Sequence, residues 1–101
     1  MSKLLVEHED ATFLMRVARP SMINYGIDDG DLIVVDRAKI PHSGNIVVAV
    51  VDGEYTVKAL YQTNDELMLK AGNPDYPNIV PRQGQILEIW GVVTSCIKRF
   101  S

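Results

Sequence analysis

Apolar residues in this chain fall into short runs rich in valine and isoleucine, several alternating with polar residues, and Gly, Asp, Asn and Pro separate the runs. Period-two alternation bounded by turn residues predicts strands. The pattern places them at residues 12–18, 31–36, 45–51, 54–62, 66–71 and 86–98. Only residues 21–25 invite a helical turn, with Ser21 after Pro20 as its N-cap and Gly26 as a left-handed closing residue. The chain reads as mostly β: a single domain of twisted, partly barrel-like antiparallel sheets with one short helical turn.

One pair of strands can be registered from the sequence alone. Ile46–Val51 is followed by Asp52-Gly53 and then by the run from Glu54 to Tyr61. Asp-Gly favours a two-residue type I′ turn, because both residues tolerate positive φ. Val51 then pairs with Glu54, Val50 with Tyr55, Ala49 with Thr56, Val48 with Val57 and Val47 with Lys58. Directly opposed residues share a face, so Lys58 is expected among Val47, Ala49, Thr56 and Leu60. An ammonium in that setting is poorly solvated and its neutral form is favoured. From the strand alone, the simpler account is an edge lysine that runs its stem over the sheet and keeps its charge in water.

A neutral lysine beside a serine is a recognisable chemistry. A serine hydroxyl is a weak nucleophile until a base takes its proton, and a desolvated lysine can be that base. The demand on the lysine is large: lowering its pKa from about 10.4 to about 7 costs roughly 4.6 kcal/mol, at about 1.36 kcal/mol per pH unit. Ser21, in Arg19-Pro20-Ser21-Met22, is the candidate nucleophile. Capping is the simpler account of a serine there, but the two roles are compatible. A hydroxyl at the start of a helical turn lies beside unpaired backbone N–H groups that can receive a developing oxyanion.

Composition narrows the picture. With 101 residues, 47% of them hydrophobic, the chain can build one core but not two. The longest uninterrupted apolar run, Ile46–Val51, is far short of the about 20 residues a membrane-spanning helix needs. That weighs against the membrane-anchored class of serine-lysine peptidases, the type I signal peptidases. A single cysteine, Cys96, excludes an internal disulfide and fits a reducing cytoplasm, where Cys96 serves as a small strand residue. A net charge of −3 offers no broad phosphate-binding field, so direct DNA binding is not expected. Asp28, Asp29 and Asp31 crowd around Gly30 without calcium-loop spacing and read as a solvated turn. His8 and His42 lack zinc-ligand partners. No metal and no cofactor is expected. Residues 1–11, charged at their end, read as a loose arm, and residues 12–101 as the folded domain.

Several motifs in order carry a resemblance. Val17 precedes Ser21-Met22. Then come Gly26-Ile27-Asp28-Asp29-Gly30-Asp31-Leu32-Ile33-Val34-Val35-Asp36, Gly44-Asn45-Ile46-Val47, Asp52-Gly53-Glu54-Tyr55-Thr56-Val57-Lys58, and Trp90-Gly91-Val92-Val93. Together, over residues 12–99, they resemble the LexA/UmuD family of self-cleaving serine peptidases. The hairpin motif and the Trp90 motif are most similar to its UmuD branch, the accessory subunits of error-prone DNA polymerase V. The resemblance implies Ser21 as nucleophile, Lys58 as general base, the Ser21 amide in the oxyanion hole, and Arg19 and Met22 along the substrate cleft. It further implies a processed subunit of a translesion polymerase in the SOS response to DNA damage, forming a homodimer. Its implied partners are a UmuC-like Y-family polymerase subunit and a RecA-type filament on single-stranded DNA. The alternative is the C-terminal autocleavage and dimerisation domain of a LexA-type repressor, although no helix-turn-helix precedes the domain here.

Two departures stand out. The family usually has glycine two residues before the serine, where this chain has Arg19, which is expected to narrow the cleft or alter peptide docking. The family also cuts its own arm at an Ala-Gly or Cys-Gly bond upstream of the serine, and residues 1–20 contain neither dipeptide. Ala71-Gly72 occurs after the lysine, where a loop before Pro74 is the ordinary reading. The chain therefore resembles a processed product or a trimmed peptidase domain. Strict alternation along residues 86–98 places Leu87, Ile89, Val93 and Ile97 on one face and Trp90, Val92 and Cys96 on the other. Both faces are apolar, so the second is expected to meet a two-fold partner near Trp90 or Val92.

Overall fold

The computed structural model describes residues 9–82 and 85–98. Six strands form one antiparallel sheet: β1 (Thr12–Arg16), β2 (Leu32–Asp36), β3 (Ile46–Val51), β4 (Glu54–Gln62), β5 (Leu67–Lys70) and β6 (Leu87–Ile97), in the spatial order β1-β2-β6-β3-β4-β5. The six strands expected from the alternation are all present, each within two residues of its expected ends, and they build one open sheet rather than several. Residues 9–11, assigned to the loose arm, form a 3-10 turn, and the Ala11 carbonyl accepts from the Arg37 amide at 2.8 Å. Residues 1–8, with His8, lie outside the described residues.

The β3–β4 hairpin has the register the Asp-Gly turn predicts, from Val51 opposite Glu54 to Val47 opposite Lys58. Asp52 and Gly53 have φ of 50° and 86°, the pair of positive values a type I′ turn requires. Each face of the sheet buries its own apolar cluster. One contains Val47, Ala49, Leu60, Leu69 and Val92, with Leu87 and Ile89 against it. The other contains Val17, Met22, Ile27, Ile33, Val35, Val48 and Ala59, with Trp90, Val93 and Cys96 against it.

The structure corrects the strict alternation along β6. This strand pairs with β3 through its first half and with β2 through its second, and each pairing contains a bulge. Ala49 faces Ile89 while Val48 faces Gly91, which leaves Trp90 as the extra residue; Val35 faces Val93 while Val34 faces Ser95, which leaves Thr94 extra. A bulge adds one residue and reverses the facing of all that follow. Val92 therefore joins Leu87 and Ile89, and Val93 joins Trp90 and Cys96. Apolar clusters of the chain itself pack against both faces. Val92, expected near a partner, is 2% exposed in the domain's own core.

Asp31 is also corrected. Asp28 and Asp29 are exposed, but Asp31 is buried. Its carboxylate accepts from Lys98 at 2.5 Å, from the Asp28 amide at 2.8 Å and from the Cys96 thiol at 3.5 Å. The hydrogen bond from Lys98 is the main influence holding the Asp31 carboxyl below its ordinary pKa. Among the described residues no helix is long and apolar enough to cross a membrane.

Candidate functional site

Lys58 reaches the site because the hairpin register turns it inward. It faces Val47, which is fully buried, and is itself 5% exposed. Its Nζ donates to Thr56 Oγ1 at 2.6 Å and to the Val57 carbonyl at 3.2 Å, and it lies 3.2 Å from Ser21 Oγ, within hydrogen-bond distance. Burial pushes the Lys58 amine below its ordinary pKa of 10.5, and the positive charge of Arg19 pushes it further the same way.

Ser21 is buried, and its hydroxyl, which also donates to the Val57 carbonyl at 3.4 Å, does not cap a helix. The helical turn is a 3-10 segment, Ile23–Tyr25, whose N-cap position is Met22 with no side-chain cap, and Gly26 closes it with φ 83°. The Ser21 side chain is committed to Lys58 and Val57 instead. Met22, expected along the cleft, is 1% exposed and packs into the core beneath the turn. Arg19 does lie on the cleft wall, exposed, where its charge acts on Lys58. The cleft holds about 570 Å³. Residues 15–19 form one wall and residues 54–58 another, with Tyr76 and Ile79 at its side.

The segment after β5 is the part of the site that sequence reasoning missed. The Gly72 amide donates to the Ser21 carbonyl at 2.7 Å, and the Gly72 carbonyl accepts from the Asn24 amide at 2.7 Å. Asn73 Nδ2 donates to the Pro20 carbonyl at 2.8 Å. A Cβ on Gly72 would collide with the Tyr25 ring and come within 3.2 Å of Met22 Cα, so the strap packs closely against the turn that follows Ser21. Locally, Ala71-Gly72-Asn73-Pro74 reads as a loop, and nothing near it in sequence points to Ser21. Thr56 was read as a packing neighbour of Lys58, and the structure adds its hydrogen bond.

Chemically, the site brings together a buried hydroxyl and a buried amine with a depressed pKa at hydrogen-bond distance, open to a cleft of peptide dimensions. Among the described residues no group of three or more His, Cys, Asp or Glu is placed to hold a metal ion.

Comparison with known proteins identifies relatives of this chain. The chain is 45% identical over 89 residues to Protein SamA of Salmonella typhimurium, an alignment covering 88% of this chain and 61% of that protein. It is 37% identical over 100 residues to Protein ImpA of Escherichia coli, covering 98% and 67%. It is 41% identical over 88 residues to a LexA repressor of Syntrophotalea carbinolica, covering 87% and 44%. The chain thus spans 61% of the length of SamA and less than half that of the repressor. The model of a family described as Peptidase S24-like matches residues 1–94, and the chain belongs to that family.

Proposed function

We propose that the chain is a serine peptidase domain in which Ser21 is the nucleophile and Lys58 the general base. The observation that carries this reading is the 3.2 Å approach of Lys58 Nζ to Ser21 Oγ in a setting that disfavours the ammonium. A neutral amine has two N–H bonds and one lone pair. With the N–H bonds directed at Thr56 Oγ1 and the Val57 carbonyl, the lone pair is left for the Ser21 proton.

The reaction then balances in two halves. Ser21 Oγ bonds to the substrate carbonyl carbon as its proton passes to Lys58, and the carbonyl oxygen becomes an oxyanion beside the Ser21 amide. The intermediate collapses with loss of the amine, which takes the proton from Lys58. Water, deprotonated by Lys58, then attacks the ester and frees Ser21. The ordinary substrate on this reading is an arm of the protein's own chain, cut at an Ala-Gly or Cys-Gly bond, as the family resemblance implies.

The wider role follows the UmuD branch: a processed subunit of a translesion polymerase in the SOS response, forming a homodimer, meeting a Y-family polymerase subunit and responding to a RecA-type filament. The resemblance of the hairpin and Trp90 motifs supports it. A LexA-type repressor domain is the second reading, favoured by the 41% identity to a LexA repressor. An upstream DNA-binding segment in the full reading frame would decide for the repressor.

The test of the chemistry is cleavage of a synthetic arm peptide with an Ala-Gly bond, supplied in trans. Cleavage by the parent chain and none by Ser21→Ala is expected. Undiminished cleavage by Ser21→Ala would overturn the assignment.

A further inference from the structure

The strap that braces the nucleophile turn also controls the direction of one amide. A trans peptide is planar, with its C=O and N–H pointing in opposite directions, so anchoring the oxygen aims the hydrogen. The structure has no cis peptide bonds among the described residues. The Pro20 carbonyl is held by Asn73 Nδ2 at 2.8 Å, and the N–H across that same peptide belongs to Ser21. The Ser21 N–H donates to no acceptor among the described residues. The peptide on the other side of the Ser21 Cα is held as well, its carbonyl accepting from the Gly72 amide at 2.7 Å.

The amide of Asn73 can present only one end to Pro20. Its Oδ1 accepts from the Asp75 N–H at 2.9 Å, which commits the oxygen to the loop and leaves Nδ2 for the carbonyl. The reverse orientation would set oxygen against oxygen at Pro20 and N–H against N–H at Asp75. Asn73 therefore does two separable things: it closes its own loop with Oδ1, and it reaches back across 53 residues with Nδ2.

We infer that Asn73 is a positioning residue, which holds the Pro20 carbonyl so that the Ser21 N–H is aimed at the oxygen that becomes negative when Ser21 attacks. The inference rests on the peptidase reading above. Asn73 is not among the residues lining the cleft and its side chain hydrogen-bonds to Pro20 and Asp75 rather than to Lys58, so its effect passes through the Pro20–Ser21 peptide. Stabilisation of an oxyanion depends on a donor already aimed before charge develops. A loosened peptide plane loses that stabilisation while leaving substrate binding and the base untouched.

The experiment compares the parent chain with Asn73→Ser. Serine keeps a neutral oxygen able to close the loop on the Asp75 amide but is too short to reach Pro20. Cleavage of the Ala-Gly peptide is measured as separate kcat and KM values over a range of pH. Affinity is measured for a peptidyl-alanine boronate, whose tetrahedral adduct with Ser21 places an oxygen where the oxyanion forms. In Asn73→Ser, kcat is expected to fall on the order of 10-fold to 100-fold, short of the about 10²–10³ seen when an oxyanion donor is removed outright. The boronate should weaken by a matching factor, with KM and the pH midpoint unchanged. Parent-like kcat and boronate affinity in Asn73→Ser would overturn the inference while leaving the peptidase reading intact. So would a change in which KM and the pH midpoint move along with kcat, since that marks general loosening. A parent chain without Ser21-dependent cleavage would overturn both.

Discussion

Lys58 stands on a hairpin whose strands are joined by two residues, whereas Ser21 stands on a turn braced by a segment as far as 53 residues away. The amine is placed by local rules: Asp52 and Gly53 set the turn, the turn sets the register, and the register turns Lys58 into the apolar face with Val47. The hydroxyl is placed by non-local ones. Its neighbours in sequence set only a short 3-10 turn, and the Gly72 and Asn73 contacts tie that turn to the segment after β5. On the proposed reading a base on a hairpin faces a nucleophile on a separately braced turn, so the two can be perturbed separately.

The largest expected effect comes from the hairpin side. On the proposed reading Lys58→Met abolishes cleavage, since among the described residues Lys58 is the titratable side chain hydrogen-bonded to Ser21 Oγ. It should also stabilise the fold at neutral pH. Because burial lowers the folded-state pKa of Lys58, the unfolded chain binds that proton more tightly. Stability therefore rises with pH from the folded-state value up to about 10.4. The burial penalty is full below that window and absent above it. Removing the amine removes the penalty, worth about 1.4 kcal/mol for each pH unit of lowering. Urea unfolding of both proteins across pH checks this: the gap should be widest at neutral pH and close toward pH 11.

Gly72→Ala perturbs the other side. The added methyl meets the Met22 backbone and the Tyr25 ring, so we expect a loss of about 1–3 kcal/mol in thermal or urea unfolding. Cleavage should fall while the Lys58 titration stays in place. A Lys58 midpoint that moved with the Gly72 change would show that the two regions are not independent.

Thr56→Val tests the orientation of the amine within its own strand. The swap keeps a β-branched shape and removes the 2.6 Å hydrogen bond to Lys58 Nζ. With one N–H bond unpartnered, the lone pair is no longer held toward Ser21, and kcat should drop roughly tenfold, equivalent to about 1.4 kcal/mol.

The smallest effect is expected at Arg19. Its side chain is exposed on the cleft wall, and its charge lowers the Lys58 pKa. Arg19→Gly restores the residue usual in the family and removes that charge, so the Lys58 pKa should rise and the cleavage–pH profile shift upward, with slower cutting at neutral pH. Faster cutting at neutral pH would instead mark Arg19 as an obstruction in the cleft.

How much of this was legible in the sequence follows the same division. The hairpin register was readable residue by residue, because an Asp-Gly turn leaves no freedom in the pairing. The six strands were readable because alternation is a local signal. The facing of β6 was not, since the bulges at Trp90 and Thr94 arise from fitting one long strand to two partners at once, and the residues themselves carry no mark of it. Met22 was expected along the cleft, yet an apolar side chain beside a short turn was free to fold under it into the core. Asp31 read as solvated because its cation, Lys98, lies 67 residues away. The strap of Gly72 and Asn73 was invisible for the same reason.

The most direct test of the account is the titration of Lys58 itself, followed through its side-chain NMR signals in the folded chain with Lys58→Met as the assignment control. Burial beside Val47 and the charge of Arg19 predict a midpoint well below 10.5. A midpoint at or above 10.5, in a chain whose other signals show it folded, would contradict the assignment of Lys58 as the base.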